Sequence, residues 1–269
     1  MSTLDRELET VELKVEGRIA WITMNRPEAL NAWTPQFGTE MLAALEHAGE
    51  DPEVRAIVLT GAGRAFSSGA DLKSGGLFDE HGRPDVKSAL SGYYHPLVLA
   101  VRTMPKPVVA AVNGAAVGIG CSLALACDLI VAADSAYFLL AFANIGLALD
   151  GGASATLVAR VGQARASEIA MLAERIPAGQ ALEWGLINRV APDPEGAVAT
   201  AGELAARFAA GPPGSYAAIK RTLNAAMFPN FGELLELEVE LQQERAESSD
   251  FMEGVSSFIE KRAPEFTGH

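Results

Sequence analysis
The stretch PVVAAVNGAAVGIGCSLALACDLIVA, residues 107–132, leaves a folding chain few options. The apolar run 107–112 is too short for a helix of useful length and suits a strand buried on both faces. Asn113-Gly114 turns the chain. Residues 120–127 are small or apolar all round, as in a short helix buried on every side. Residues 129–132 return to strand. Elements that are apolar on all sides must lie inside a layered structure.

The flanking sequence repeats this alternation. Val11, Leu13 and Val15 alternate with polar residues, Gly17 allows a turn, and 19–24 reads as the returning strand. Thr34-Pro35 reads as an N-cap followed by proline at the first helical position, opening a helix to about residue 48. Residues 56–60 (AIVLT) form a short buried strand ended by Gly61-Ala62-Gly63. Residues 73–95 are polar and glycine-punctuated, turn helical from Asp85, and suit a mobile wall over a site. From residue 153 helical signals dominate, broken by Gly162, Pro177, Gly185 and Pro192, with a short strand at 186–190. After Pro212-Pro213 the chain predicts helices over 215–227, 232–247 and 250–261. The expectation is an α/β core over residues 1–211 and a helical appendage over 212–269, with a hinge at Gly211-Pro212-Pro213.

With 269 residues, 49% of them hydrophobic, the chain has enough apolar side chain for such a core. A formal charge of −13 disfavours nucleic acid and anionic membranes as partners. An anionic ligand needs a local basic patch or backbone N–H groups. Cys121 and Cys127 lie in a small-residue apolar segment and are expected as buried thiols. The start, MSTLDRELET, has no apolar core of a signal peptide, and Asn113, Asp128 or glycines break the longest apolar runs. A soluble cytoplasmic protein is expected.

Several chemistries lack their residues. Gly118-Ile119-Gly120 follows a strand and opens a helix, but Leu123 stands where a dinucleotide fingerprint needs its third glycine. Gly61-Ala62-Gly63 fails in the same way at Phe66. Neither loop carries the Lys-Ser or Lys-Thr of a P-loop, and no serine sits in a Gly-x-Ser-x-Gly elbow. His47, His81, His95 and His269 are scattered and form no ligand pair, so no metal is expected.

Two small-residue loops remain, AFSSGADL (65–72) and NGAAVGIGC (113–121), each after a buried strand. Both let backbone approach a ligand closely. In the second, the N–H groups at Ile119 and Gly120 lie at a helix start, where donors are unsatisfied and the dipole favours negative charge. If the loops converge they form an oxyanion hole; if not, they are two tight turns.

Asn25-Arg26-Pro27 with Ala29-Leu30-Asn31-Ala32, then AFSSGADL, then NGAAVGIGCSLALACDLIVAAD, resembles the enoyl-CoA hydratase/isomerase (crotonase) family. ALEWGLINRV (181–190) and FIEKRAPEF (258–266) match its later landmarks, in order along the whole chain. The resemblance implies a crotonase-like spiral of ββα units followed by an α-helical C-terminal trimerisation region. It implies a homotrimer, or a hexamer built as a dimer of trimers, and acyl-CoA thioester substrates, with coenzyme A as part of the substrate and no separate cofactor. By position the thioester oxygen would meet the N–H groups of Ala70 and Ile119. The family usually has glycine at the second place, so the Ile119 side chain must turn away or narrow the pocket. Ala29, Leu30, Ser68, Ala70 and Leu72 would line the path of coenzyme A. Phe258 and Lys261 would reach the coenzyme A of a neighbouring subunit. Arg26, Lys73 and Lys261 are candidate sources of local positive charge.

The pattern also departs from the family. Its hydratases use two glutamates; here those positions hold Ser122 and Phe142, so efficient hydration is not expected. Asp150, eight residues past Phe142, matches the single catalytic aspartate of family isomerases such as the phenylacetyl-CoA ring-epoxide isomerase. It also matches the nucleophile of 4-chlorobenzoyl-CoA dehalogenase. Phe66, Phe138 and Phe142 could supply the aromatic cradle that the latter chemistry needs, and His95 its water-activating base. Asn144 would be a polar group of the pocket, whereas Asp71 and Asp128 end turns and read as structural. Four readings stay open: an isomerase with Asp150 as acid and base, a dehalogenase or hydrolase with Asp150 as nucleophile, a weak hydratase, and a non-catalytic acyl-CoA binder. In the last, Asp150 would cap the helix opened by Gly151-Gly152-Ala153.

Overall fold
The computed structural model describes residues 8–73 and 77–269. Residues 1–7, most of the acidic start, and 74–76, within the polar stretch at 73–95, lie outside the described residues. The chain opens with strands β1 (Val11–Glu16) and β2 (Ile19–Met24), helix α1 (Pro35–Glu50), and strands β3 (Ala56–Gly61) and β4 (Ala65–Ser67). Helices α2 (Val86–Ala89) and α3 (His95–Thr103) follow, joined by a π-helical turn over Leu90–Tyr94. Next come β5 (Val108–Val112), β6 (Ala115–Val117), α4 (Ile119–Ala126), β7 (Leu129–Ala133), β8 (Tyr137–Leu139) and α5 (Ala153–Leu172). Then β9 (Ile176–Pro177), α6 (Ala178–Glu183), β10 (Arg189–Ala191) and α7 (Pro194–Ala210) lead into α8 (Pro213–Met227), α9 (Phe231–Ala246) and α10 (Ser249–Glu260).

Two sheets carry the core. The larger runs β1-β2-β3-β5-β7-β10 and is parallel except for the β1–β2 hairpin, whose turn residues Gly17 and Arg18 both have positive φ. Every residue of β3 and β5 is buried, as expected for strands covered on both faces. The smaller sheet runs β4-β6-β8-β9 and is built from strands of three residues or fewer. Each of β3, β5 and β7 hands the chain to a short strand and then to a helix. This is the ββα spiral that the sequence resemblance implies.

Side chains at the crossings explain why the spiral closes. Asn113 is buried between β5 and β6, and its Nδ2 donates to the carbonyls of Gly61 and Gly63, both at 2.9 Å. A Cβ on Gly114 would lie 2.2 Å from the Arg64 carbonyl oxygen, so only glycine fits there. The Thr34 hydroxyl caps α1 by accepting from Phe37 N–H at 3.2 Å, as its position before Pro35 predicts.

The C-terminal helices are tied to the core by a buried ion cluster. Lys220 of α8 donates to Asp128 Oδ2 at 2.8 Å and to the Lys106 carbonyl at 3.0 Å. Asp128 Oδ2 also accepts from Val108 N–H at 2.8 Å, the structural role expected of it. Cys121 and Cys127 are free and buried, and burial pushes both thiols up to about 12. The strand read at 186–190 is shorter and lies later, at β10: Leu186 N–H instead donates to the Ala181 carbonyl and closes α6. Among the described residues, no helix is long and apolar enough to cross a membrane.

Candidate active site
The first loop is held from behind by β4 and the segment after β2. Ser67 Oγ donates to the Asn31 carbonyl at 2.9 Å and accepts from Trp33 Nε1 at 2.9 Å and Gly69 N–H at 3.2 Å. Asn31 has a left-handed backbone, φ 55°, and its Nδ2 donates to the Ala65 carbonyl at 2.9 Å. A single bridge then pairs Trp33 with Ala70, through Trp33 N–H to the Gly69 carbonyl (2.8 Å) and Asp71 N–H to the Trp33 carbonyl (2.9 Å). In that pairing the N–H of Ala70 itself faces away from Trp33.

The second loop ends at Gly118, with φ 53° and ψ −128°, a conformation open to glycine and strained for other residues. It makes Ile119 the first residue of α4, so the Ile119 N–H has no acceptor within the helix. The loops meet at glycine backbone. A Cβ on Gly69 would lie 3.1 Å from the Val117 carbonyl oxygen, and one on Gly118 would lie 3.7 Å from Gly69 Cα. Ala70 and Ile119 line one pocket of about 330 Å³, and neither N–H has an acceptor among the described residues. The Ile119 side chain packs toward Gly151, where an added Cβ would lie 2.7 Å from Ile119 Cδ1.

Asp150 lines the same pocket and is only 4% exposed. Its Oδ2 accepts from Gln242 Nε2 of α9 at 2.8 Å, while Oδ1 is buried with no hydrogen-bond partner among the described residues. Burial, the nearby Glu238 carboxylate and the opposing Gln242 hydrogen bond, in that order, set its acidity, and the net effect pushes it up to about 8. The carboxylate does not cap α5. Gly152 is the N-cap residue, and the free N–H groups of Gly152 and Ser154 donate to Glu238, at 2.8 and 3.3 Å. Glu238 therefore takes the cap that sequence reading allowed Asp150. The remaining walls are mainly apolar and include Leu77, Val86, Val117, Leu139, Phe142 and Leu147, with the Tyr94 phenol.

Of the residues singled out in the sequence, Ser68, Ala70, Leu72, Ile119, Phe142, Asn144 and Asp150 line this pocket. Asn144 also donates from Nδ2 to the Ala173 carbonyl at 3.0 Å, which anchors it at the wall. Phe258, expected to serve a neighbouring subunit, lines the pocket of its own chain.

Other expectations need correction. Phe138 is fully buried in the core, because alternation along β8 gives the pocket Tyr137 and Leu139 instead. Phe66 is core as well: all of β4 is buried and none of it lines the pocket. Ser122 lies behind the pocket, and its Oγ donates to the Asp150 backbone carbonyl at 2.9 Å. His95 is buried beside Glu238, with Nε2 3.3 Å from Oε2 but outside hydrogen-bond geometry, and does not line the pocket. Ala29 and Leu30 stand behind the first loop; the Leu30 carbonyl accepts from Ser68 N–H at 3.0 Å. Arg26 turns inward to the Ala32 carbonyl and lies 3.5 Å from Asp71, so it is not an open cation for coenzyme A. Lys261 is the exposed C-cap of α10, outside the pocket lining, and Lys73 lies outside that lining too.

Tyr94, Tyr137 and Arg175 line the pocket without having been singled out in the sequence; the Arg175 guanidinium stacks 4.6 Å from the Tyr137 ring centre. Glu238 and Gln242 were also missed. Their signal is the buried stripe Phe231, Leu235, Glu238, Gln242 and Ala246 of α9, which has helical spacing yet carries two polar residues in its middle. Among the described residues, no cluster of His, Cys, Asp and Glu could hold a metal ion.

The arrangement offers two free N–H donors at one wall of an apolar pocket and a single basic carboxylate at another. Comparisons with known proteins identify the family. A family model described as enoyl-CoA hydratase/isomerase matches residues 14–269. The chain is 43% identical to a probable enoyl-CoA hydratase of Rhodobacter capsulatus over 96% of its own length and 98% of the relative's. It is 38% identical to the 1,2-epoxyphenylacetyl-CoA isomerase of Escherichia coli, over 97% and 99% of the two chains. The crystal structure of an enoyl-CoA hydratase from Mycobacterium avium subsp. paratuberculosis superposes with a TM-score of 0.87 at 38% identity, covering 97% of this chain and 100% of that one. Matched along nearly its whole length by sequence and by fold, the chain belongs to the enoyl-CoA hydratase/isomerase family.

Proposed function
We propose that the chain is an acyl-CoA isomerase that moves a double bond, or opens a ring, through an enolate, with Asp150 as its acid–base group. Asp150 Oδ1 takes a proton from a carbon next to the conjugated system. The electron pair moves into the thioester carbonyl, whose oxygen becomes negative and is held by the N–H groups of Ala70 and Ile119. Each such donor is worth about 3 kcal/mol in the transition state. Asp150 then returns the proton to a different carbon or, in ring opening, to the ring oxygen whose bond to carbon the enolate breaks, so atoms and charge balance and one carboxylate suffices.

The observation that carries this reading is the Asp150 carboxylate: buried, freed from helix capping, and left with one oxygen unpartnered among the described residues. An acidity near pH 8 suits a group that must both take and give a proton. Hydration is disfavoured because Ser122 and Phe142 hold no carboxylate. A nucleophilic role is disfavoured because Phe66 and Phe138 lie in the core and His95 sits against Glu238. The isomerase relative in Escherichia coli supports the same choice, and the hydratase name of the Rhodobacter relative opposes it.

The apolar face of Ile219, Leu223 and Met227 on α8, with Leu237 and Leu241 on α9, all about half exposed, supports assembly into a trimer or hexamer. Asp150→Asn tests the catalytic role. Its turnover should fall at least about a hundredfold while acyl-CoA binding holds, as expected for loss of a positioned acid–base group. Retention of most activity would show that Asp150 is not the acid–base group and that the enzyme works by a different chemistry.

A further inference from the structure
Helix α9 reaches the candidate active site through two side chains one turn apart, Glu238 and Gln242, both buried. The Gln242 amide is fixed at both ends. Its Oε1 accepts from Ala148 N–H at 2.9 Å, and its Nε2 donates to Asp150 Oδ2 at 2.8 Å. A backbone N–H can only donate, so the amide cannot flip without setting donor against donor at Ala148. Nε2 also only donates, so Oδ2 must stay an acceptor. A proton on Asp150 is then left with Oδ1, the oxygen that has no partner among the described residues.

From this we infer that Gln242 is the positioning residue of Asp150: it locks the carboxylate rotamer and reserves Oδ1 for the travelling proton. The inference rests on the acid–base reading of Asp150 and adds what makes that base directional. Without the amide, the carboxylate can turn about its Cβ–Cγ bond and carry the proton on either oxygen. Glu238 completes the arrangement by capping α5, which spares Asp150 that duty. The ionisable groups facing Asp150 are Glu238 from α9 and the Tyr94 phenol from the π-helical turn. Neither supplies the directional contact that Gln242 makes.

The test is a double-mutant cycle with trans-3-hexenoyl-CoA as turnover probe and hexanoyl-CoA as binding probe. Gln242→Met keeps length and volume and removes both hydrogen bonds. It should lower kcat about ten- to a hundredfold, as misplacement of a catalytic group does, with little change in Kd for hexanoyl-CoA. The pH midpoint of kcat/KM should move upward, because a hydrogen bond to the charged form is lost. In an Asp150→Asn background the same change should cost nothing further, since the group it positions is gone. Gln242→Glu serves if the methionine variant folds poorly: it keeps an acceptor for Ala148 N–H, loses the amide donor, and should also shift the midpoint upward. Equal losses with and without Asp150, or an unmoved midpoint, would show a merely structural glutamine and overturn the inference. Near-normal turnover of Asp150→Asn alone would overturn it too, and is told apart because it fails before Gln242 is touched.

Discussion
Replacing Asp150 by asparagine should make the protein more resistant to unfolding, and increasingly so as pH rises. The reasoning starts from acidity. In the unfolded chain the carboxyl ionises near its ordinary value of 3.8; in the folded chain, burial and Glu238 push it up to about 8. The folded state thus binds a proton that the unfolded state has released. A group raised in this way contributes stability below the unfolded value and loses it as pH climbs through the folded one. At about 1.4 kcal/mol per pH unit, the wild type should lose about 4 kcal/mol between pH 5 and pH 9 relative to a variant that cannot ionise there. Asparagine has the same size, and its carbonyl can still accept from Gln242 Nε2. Urea unfolding at pH 5 and pH 9 measures the difference. With a slope of roughly 3 kcal/mol per molar urea, the gap between the two midpoints should change by more than about 1 M. Parallel pH dependence of the two proteins would mean that Asp150 is not held in a desolvated site, and the argument for its basicity would fail.

Two further outcomes follow from the site's construction. Gly118→Ala should cost about 1–3 kcal/mol of backbone strain at φ 53°, ψ −128°, and lower turnover more than stability, read by kcat alongside thermal melting. Ending the chain after Pro212 should leave aggregated protein, because it removes Glu238, Gln242 and Lys220 together; a monodisperse, fully active product in size-exclusion chromatography would contradict this.

Most of the large sheet was legible because β2, β3, β5 and β7 are largely apolar runs and β1 alternates, each between turn signals; β10 was read too early. The small sheet was not: β4, β6 and β8 have three residues each and β9 two, too short for any periodicity to show. That gap explains the errors over Phe66 and Phe138, whose facing depends on those strands. The two small-residue loops could be read because glycine at Gly69 and Gly118 is a backbone requirement that is visible in the sequence itself. Asp150 could be found from its place eight residues past Phe142, but its partners come from a helix about 90 residues later, and sequence distance hid them. Sequence reading gave the C-terminal helices to assembly and to the coenzyme A site of a neighbouring subunit. The buried polar pair of α9 shows that this helix also braces Asp150 and the start of α5 in its own chain, from behind the pocket lining.

The claim that one buried carboxylate moves a proton along the acyl chain, without adding water, is tested most directly in D2O. Trans-3-hexenoyl-CoA would be incubated with the wild type and with Asp150→Asn, and the products followed by NMR. The wild type should form the 2-enoyl thioester, with deuterium entering only at carbons that exchange protons with Asp150, and with little 3-hydroxyacyl-CoA. The asparagine variant should do neither at an appreciable rate. Accumulation of the 3-hydroxyacyl thioester faster than the double bond shifts, or undiminished exchange by Asp150→Asn, would contradict the account.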